Sequence, residues 1–253
     1  MAKQKRGTRS ILFDAPPILT AWASVAGKKE SEGPLQAYFD YTNGDTYFGE
    51  KTWEKAECHM QEIALETLLQ KAGKKKQDVD LVFSGDLLNQ CISSSFSLRN
   101  TGLPALGLYG ACSTMGESLL LASMAVSGGF ADQAVAMTSS HFASSERQYR
   151  YPLGYGGQRS PTAQWTVTGS GAALVCSKGD GPFVEAATVG TIVDLGITDA
   201  NNMGAAMAPS AFETIRSHFD DLGAAPEDFD ERIHKIEQEI TEKKIVMKDV
   251  ILY

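Results

Sequence analysis

The chain has 253 residues, 43% of them hydrophobic and 21% charged, with a formal net charge of −8. That length and apolar content support a packed core and exclude global disorder. The acidic balance argues against nucleic-acid binding, and no run approaches the ~20 apolar residues of a membrane span.

The basic start, Met1–Arg6, is followed by no long apolar run with a small-residue cleavage site, so it does not read as a secretory signal. Ile11–Phe13 and Ile18–Leu19 are short apolar runs interrupted by Pro16 and Pro17, which predicts short strands and loops over the first 50 residues. From Glu54 to Ala72 the apolar residues Ala56, Met60, Ile63, Ala64 and Leu68 fall on one stripe, and Gly73 follows, which predicts a helix. Lys74, Lys75 and Lys76 then read as a solvated turn. Val79–Phe83, Leu106–Tyr109 and Gln133–Met137 are strand candidates, with a helix from Thr114 to Val126 closed by Gly128 and Gly129. Ala172–Cys176 and Phe183–Val189 suggest an antiparallel pair turning at Gly179–Gly181. Strands alternating with helices give an α/β layered fold.

One repeat is internal to the chain. Met60, Glu66, Thr67, Gly73, Asp78 and Asp80 are echoed by Met207, Glu213, Thr214, Gly223, Asp228 and Asp230, with Asp-x-Asp at the same distance from each glycine. After Asp230 the second copy gives way to a charged stretch with Ile233, Ile236 and Ile240 at helical spacing. The end, Val250–Tyr253, is apolar, as expected if it docks on the body or if the chain is truncated.

Cysteines stand at 58, 91, 112 and 176, with no C-x-x-C pair, so neither a disulfide framework nor a zinc knuckle is expected. Cys58 and His59 are adjacent but lack a second ligand pair, and no metal is expected. Cys112 follows a strand and Gly110 and opens a helix, where backbone N–H groups and the positive helix end favour a thiolate. A small Cys packed in the core is the competing reading. The stretch from Thr138 to Trp165 is polar and aromatic, with Ser139, Ser140, His141, Gln158 and the guanidinium groups of Arg147, Arg150 and Arg159 suited to carboxylates. An ordered surface loop with local ion pairs is the alternative there. His141 alone favours a satisfied hydrogen-bonder over a base, and His59, His218 and His234 read as surface. Gly169–Ser170–Gly171 is neither a hydrolase elbow nor a phosphate loop, no dinucleotide fingerprint follows a strand, and no cofactor is expected.

Gly110–Met115, Thr138–Phe142 through Gln148, Tyr155–Arg159, Thr162–Ala172 and Asp199–Pro209 together resemble the stage V sporulation protein AD family of spore-forming Firmicutes, over about residues 5 to 230. The resemblance implies a thiolase-like α-β-α-β-α architecture of two related halves. The first half would span 1–205, 206–230 would begin the second, and 231–253 would be a divergent helical tail. It also implies binding of dipicolinic acid (pyridine-2,6-dicarboxylate) for loading into the developing spore. The expected setting is peripheral, on the cytoplasmic side of the inner spore membrane, with other proteins of the same operon and as a homodimer. Cys112 matches the acyl-accepting position of thiolases and ketoacyl synthases, whose further His and Asn, or His and a second Cys, come from a second half that this sequence does not continue into. A dipicolinate-binding protein lined by Cys112, Ser139, Ser140, His141, Arg147, Arg150, Gln158 and Arg159 is therefore expected. A Cys112-dependent acyltransferase and a non-binding structural component are the alternatives. An incomplete second half would also leave the helix after Cys112 and the strand at Leu81–Phe83 with exposed apolar surface.

Overall fold

The computed structural model describes residues 4–149, 166–199 and 202–228, with the side chains of 146–149 excepted. In chain order the elements are β1 (Lys5–Arg6), β2 (Ser10–Leu12), β3 (Ile18–Ala26), β4 (Tyr41–Thr42), α1 (Trp53–Ala72), β5 (Leu81–Gly85), α2 (Ile92–Leu98), β6 (Ala105–Leu108), α3 (Thr114–Ser127), β7 (Gln133–Ser140), α4 (Phe142–Tyr149), β8 (Gly169–Cys176), β9 (Ala186–Thr188) and α5 (Met203–Leu222). They form two compact units, one contiguous (Leu19–Cys176) and one assembled from both chain ends (Met1–Ile18 and Ser177–Tyr253).

The contiguous unit is built on a six-stranded mixed sheet of order β4-β3-β8-β7-β5-β6. β5 runs parallel to both β6 and β7, whereas β8 is antiparallel to β7. Successive strand residues point to opposite faces. Val82, Val135, Met137, Ala172 and Leu174 join Ala21, Ala23 and Val25 against Met60, Ala64, Leu65, Leu68 and Leu69 of α1. The intervening Phe83, Ala134, Ala136, Ala173 and Val175 are equally buried, and α3 packs on β5, β7 and β8 from that side. Thr52 starts α1 by accepting the Lys55 N–H, and Gly73 ends it in the left-handed region.

Several elements differ from the sequence expectation. β3 is a nine-residue strand where short runs were expected. Its inward positions are mostly small (Ala21, Ala23, Val25), so the alternation carries little apolar contrast. α2 was not foreseen, and α4 is a helix where an ordered surface loop was the alternative; Ser93, Ser94, Ser97, Ser144 and Ser145 are buried in them. β8 and β9 do not form a hairpin: β8 pairs with β7, and β9 pairs with β2 from the far end of the chain. The Gly179–Gly181 turn is present but passes the chain from one sheet to another. The strand expected to show apolar surface, β5, is instead buried on both faces, with Val82 and Phe83 almost inaccessible. On α3, Met124 is exposed, and Phe130 beyond it is 85% exposed.

In the other unit β1, β2 and β9 make a small antiparallel sheet under α5. The Asp221 carboxylate accepts the backbone N–H groups of Thr8 (2.9 Å), Arg9 (2.9 Å) and Ser10 (3.0 Å). Gly7, at φ 48°, lies so close that a Cβ there would fall 1.8 Å from Asp221 Oδ1. Arg9 pairs with Glu213 at 3.0 Å and also donates to Ser217. His218, expected at the surface, is partly buried, with Nδ1 2.7 Å from Thr188 Oγ1, and burial lowers its pKa.

The internal repeat is visible in the structure. α1 and α5 each span 20 residues and end in a left-handed glycine, Gly73 (φ 63°) and Gly223 (φ 65°). Lys74 N–H donates to Leu69 O and Ala224 N–H to Phe219 O, the same five-residue step back. Asp78 Oδ2 accepts the Lys75 N–H at 2.7 Å, and Asp228 Oδ2 accepts the Ala225 N–H at 2.8 Å. Residues 231–253, expected to be a divergent tail, lie outside the described residues. No helix among the described residues is long and apolar enough to cross a membrane.

Candidate functional site

Ligands of open α/β sheets bind beyond the carboxyl ends of parallel strands, where successive connections diverge. Here β5, β6 and β7 end side by side, with Gly85 opposite Leu108 on one neighbour and Thr138 on the other. Three connections leave that edge: Asp86–Cys91 into α2, Tyr109–Ser113 into α3, and His141 into α4. Gly85 is required by the approach of these segments, since a Cβ would lie 2.3 Å from Thr114 Cγ2 and 2.5 Å from Leu108 O. Backbone strain concentrates here too. Gln90 (φ 62°), Cys91 (φ 51°) and Ala111 (φ 49°) are three of the four non-glycine residues with positive φ among those described. Such residues persist only where their surroundings hold them, and they cluster at functional sites.

Cys112 lies in the 3-10 turn Ala111–Ser113 that opens α3, and it is exposed. The turn is held from both sides. Ser113 Oγ donates to Gly110 O at 2.7 Å, Thr114 Oγ1 donates to Ala111 O at 2.7 Å, and Gly110 N–H donates to Thr114 Oγ1 at 3.2 Å. Of the two readings of Cys112, the packed core thiol does not hold. Cys91 and Cys176 are the buried ones, with Cys91 Sγ 3.0 Å from Leu108 O.

His141 is wholly inaccessible, and both ring nitrogens are used. Nε2 donates to Thr46 O at 2.8 Å and Nδ1 accepts the Ala143 N–H at 3.1 Å, which fixes a neutral tautomer. Burial lowers its pKa as well, in keeping with the satisfied hydrogen-bonder. Through Thr46 it ties the loop that holds the fourth strained residue, Phe48, to the end of β7. Ser139 is buried, donating to Glu57 Oε1 at 2.9 Å and accepting from Gln61 Nε2 at 2.8 Å. Ser140 donates to Val167 O at 2.5 Å. The fold thus brings Cys112, Ser139, Ser140 and His141 to one edge of one sheet, with Cys112 open to solvent and Ser139 and His141 supporting that edge from inside. Arg147 lies on α4, which continues from the same edge, while Arg150, Gln158 and Arg159 lie outside the described residues. No cluster of metal-ligating side chains occurs among the described residues.

The sequence reading missed the buried acids behind this edge. Glu57 and Gln61 interrupt the apolar stripe of α1 and are fully buried, as is Asp86 at the end of β5. Two polar residues four apart on a stripe with Ala56, Met60 and Ala64 were the available signal.

Residues 7–248 match the sequence family of stage V sporulation protein AD (SpoVAD). The chain belongs to the stage V sporulation protein AD family. Stage V sporulation protein AD of Bacillus subtilis (strain 168) is 45% identical over 224 residues, which cover 88% of this chain and 66% of that protein. Among solved structures, a 3-oxoacyl-(acyl carrier protein) synthase III from Xanthomonas oryzae superposes with a TM-score of 0.55 at 16% identity, covering 86% of this chain and 76% of its own. A cerulenin-bound OleA variant of Xanthomonas campestris gives 0.55 at 15% identity, covering 85% and 73%. At such identities the likeness shows the fold, and the fold is thiolase-like.

Proposed function

We propose that this sporulation protein binds dipicolinate at the carboxyl edge of β5, β6 and β7 and carries out no acyl transfer there. The observation that supports binding over catalysis is His141. It is the histidine that the fold brings to the edge of Cys112, and its ring nitrogens are occupied by Thr46 O and Ala143 N–H. A Cys nucleophile needs a base within hydrogen-bond reach, whereas a dicarboxylate needs guanidinium groups. Those would come from Arg147 on α4 and from Arg150 and Arg159 beyond it. The rest of the expected setting belongs to the same proposal: a peripheral place at the inner spore membrane, with partners from the same operon. In this reading the protein self-associates through the sheet edge, where Leu106 and Tyr109 are exposed on and just after β6.

Isothermal titration with dipicolinate tests the reading. Saturable binding is expected, weakened about tenfold or more by Arg147→Ala or Arg159→Ala, since a lost charge-assisted contact of ~1.4 kcal/mol is tenfold. No heat from a folded sample would leave a scaffold role as the better reading. An acyl-sized mass increase after exposure to an acyl donor, abolished by Cys112→Ala, would favour acyl transfer instead.

A further inference from the structure

Behind the edge that carries Cys112 lies a titratable group that ligand binding does not use. Glu57, in the second turn of α1, has no solvent-accessible surface. Its Oε1 accepts from Ser139 Oγ of β7 at 2.9 Å, and its Oε2 accepts from Ser144 Oγ of α4 at 2.7 Å. Gln61, one turn further along α1, extends the network. Its Nε2 reaches Ser139 Oγ (2.8 Å) and Ser94 Oγ (3.1 Å), and its Oε1 accepts from Ser97 Oγ (2.8 Å). Ser94 donates to Asp86 Oδ2 at 2.7 Å. One hydrogen-bonded cluster therefore joins α1, α2, β7, α4 and the connection after β5.

The hydrogen bonds described for Glu57 come from hydroxyls, and the charged group that acts on it is another acid, Asp86. Among the described residues, the other titratable groups beside it are Cys58, next on α1, and His141, whose backbone O lies within reach of the Ser144 hydroxyl. α2 and β7 face it with hydroxyls alone, and the described contact from α4 is Ser144. Burial is the main cause that pushes the Glu57 carboxyl up to about 7; the Ser144 hydroxyl pulls it down, and the Asp86 charge adds to the rise.

Both protonation states have a place for every hydrogen. Ionised, Glu57 accepts from Ser139 and Ser144. Protonated on Oε2, it donates to Ser144 Oγ, whose own hydrogen turns to His141 O, 3.3 Å away. The neutral form needs no counter-charge, whereas the ionised form leaves a carboxylate buried against Asp86. The strain of ionisation is relieved where the structure yields most readily. β7 is paired on both sides within the sheet and α1 packs along its apolar face, whereas α4 meets Glu57 through the Ser144 hydroxyl.

We propose that Glu57 is a proton-operated latch for α4: with its proton it holds the first turn of α4 against α1 and β7, and on losing the proton it releases that turn. The latch is set by the packing of this network and does not depend on which ligand the edge takes.

Hydrogen exchange of the full chain, corrected for intrinsic rates, tests this at pH 6 and pH 8. The α4 amides (142–149) are expected to exchange about tenfold faster at pH 8, since each pH unit above the titration midpoint shifts a one-proton equilibrium tenfold. Those of α1 and β7 are expected to hold steady. In Glu57→Gln the pH dependence of α4 should vanish. Ser144→Ala retains the acid but removes a hydroxyl that favours its ionised form, so the midpoint for α4 release should move to higher pH. The Ser144 variant decides alone if the Gln variant does not fold. An α4 whose exchange does not change with pH overturns the latch. So does an equal pH dependence in Glu57→Gln, or an unmoved midpoint in Ser144→Ala.

Discussion

Three successive backbone N–H groups, those of Thr8, Arg9 and Ser10, converge on the Asp221 carboxylate and hold its carboxyl down at about 2. A group depressed in this way stabilises the fold above its unfolded value near 3.8, and that stabilisation is lost as pH falls through about 2. In acid titrations followed by circular dichroism, Asp221→Asn is expected to be less stable than the parent at pH 6, with the gap closing between pH 4 and pH 2. Gly7→Ala should weaken the same corner at every pH, because both its φ and the carboxylate at 1.8 Å exclude a methyl group. His141 stabilises through a neutral ring instead of a charge. His141→Ala would orphan Thr46 O and the Ala143 N–H, at about 1–3 kcal/mol for a buried unsatisfied group. Urea unfolding would read that loss as a lowered midpoint at constant slope.

At the scale of elements, α1 and α5 make a comparison within one chain. Their capping glycines share φ within a few degrees, and a methyl group added at either would meet no atom within 4 Å. Gly73→Ala and Gly223→Ala are therefore each expected to cost about 1 kcal/mol, from the left-handed backbone alone. The same comparison shows what the sequence made legible. The ends of α1 and α3 were readable because an apolar period of 3.6 runs into glycine, and β7 because Ala134–Met137 is a continuous apolar run. β3 was not readable as one long strand, since alanines carry its inward face. α2 and α4 were hidden because a serine that caps, packs or hydrogen-bonds inside looks in sequence like a serine in solvent. Pairing partners were the hardest to see: β9 sits opposite Ser10–Leu12, more than 170 residues away, whereas the nearer turn signal suggested β8. Near the sheet edge, the strand-glycine-helix pattern foretold that Cys112 opens α3, and the polar run after the apolar Ala134–Met137 marked the end of β7. Glu57 and Gln61, four apart on the α1 stripe, were the legible trace of the buried network, whereas their hydroxyl partners on α2, β7 and α4 come together only in the fold.

At the scale of the molecule, the two units have separate sources of stability. Leu68 is fully buried in the apolar core between α1 and the six-stranded sheet, so Leu68→Ala is expected to cost about 2–5 kcal/mol. Asp221 and Arg9 act within the other unit. Calorimetry should show the Leu68 variant lowering the transition of Leu19–Cys176, while Asp221→Asn lowers that of the unit formed by the chain ends. A single transition moved equally by both would mean that the units unfold together.

The discontinuous unit also imposes an order on folding during synthesis. Leu19–Cys176 is complete as soon as it leaves the ribosome, but β2 meets neither β9 nor Asp221 until the chain has grown about 200 residues further. At ~5–20 residues per second that is roughly 10–40 s. Through that interval the segment Ser10–Leu12 is a strand without a neighbour on its β9 side, and a stretch made before the contiguous unit settles into place only after it.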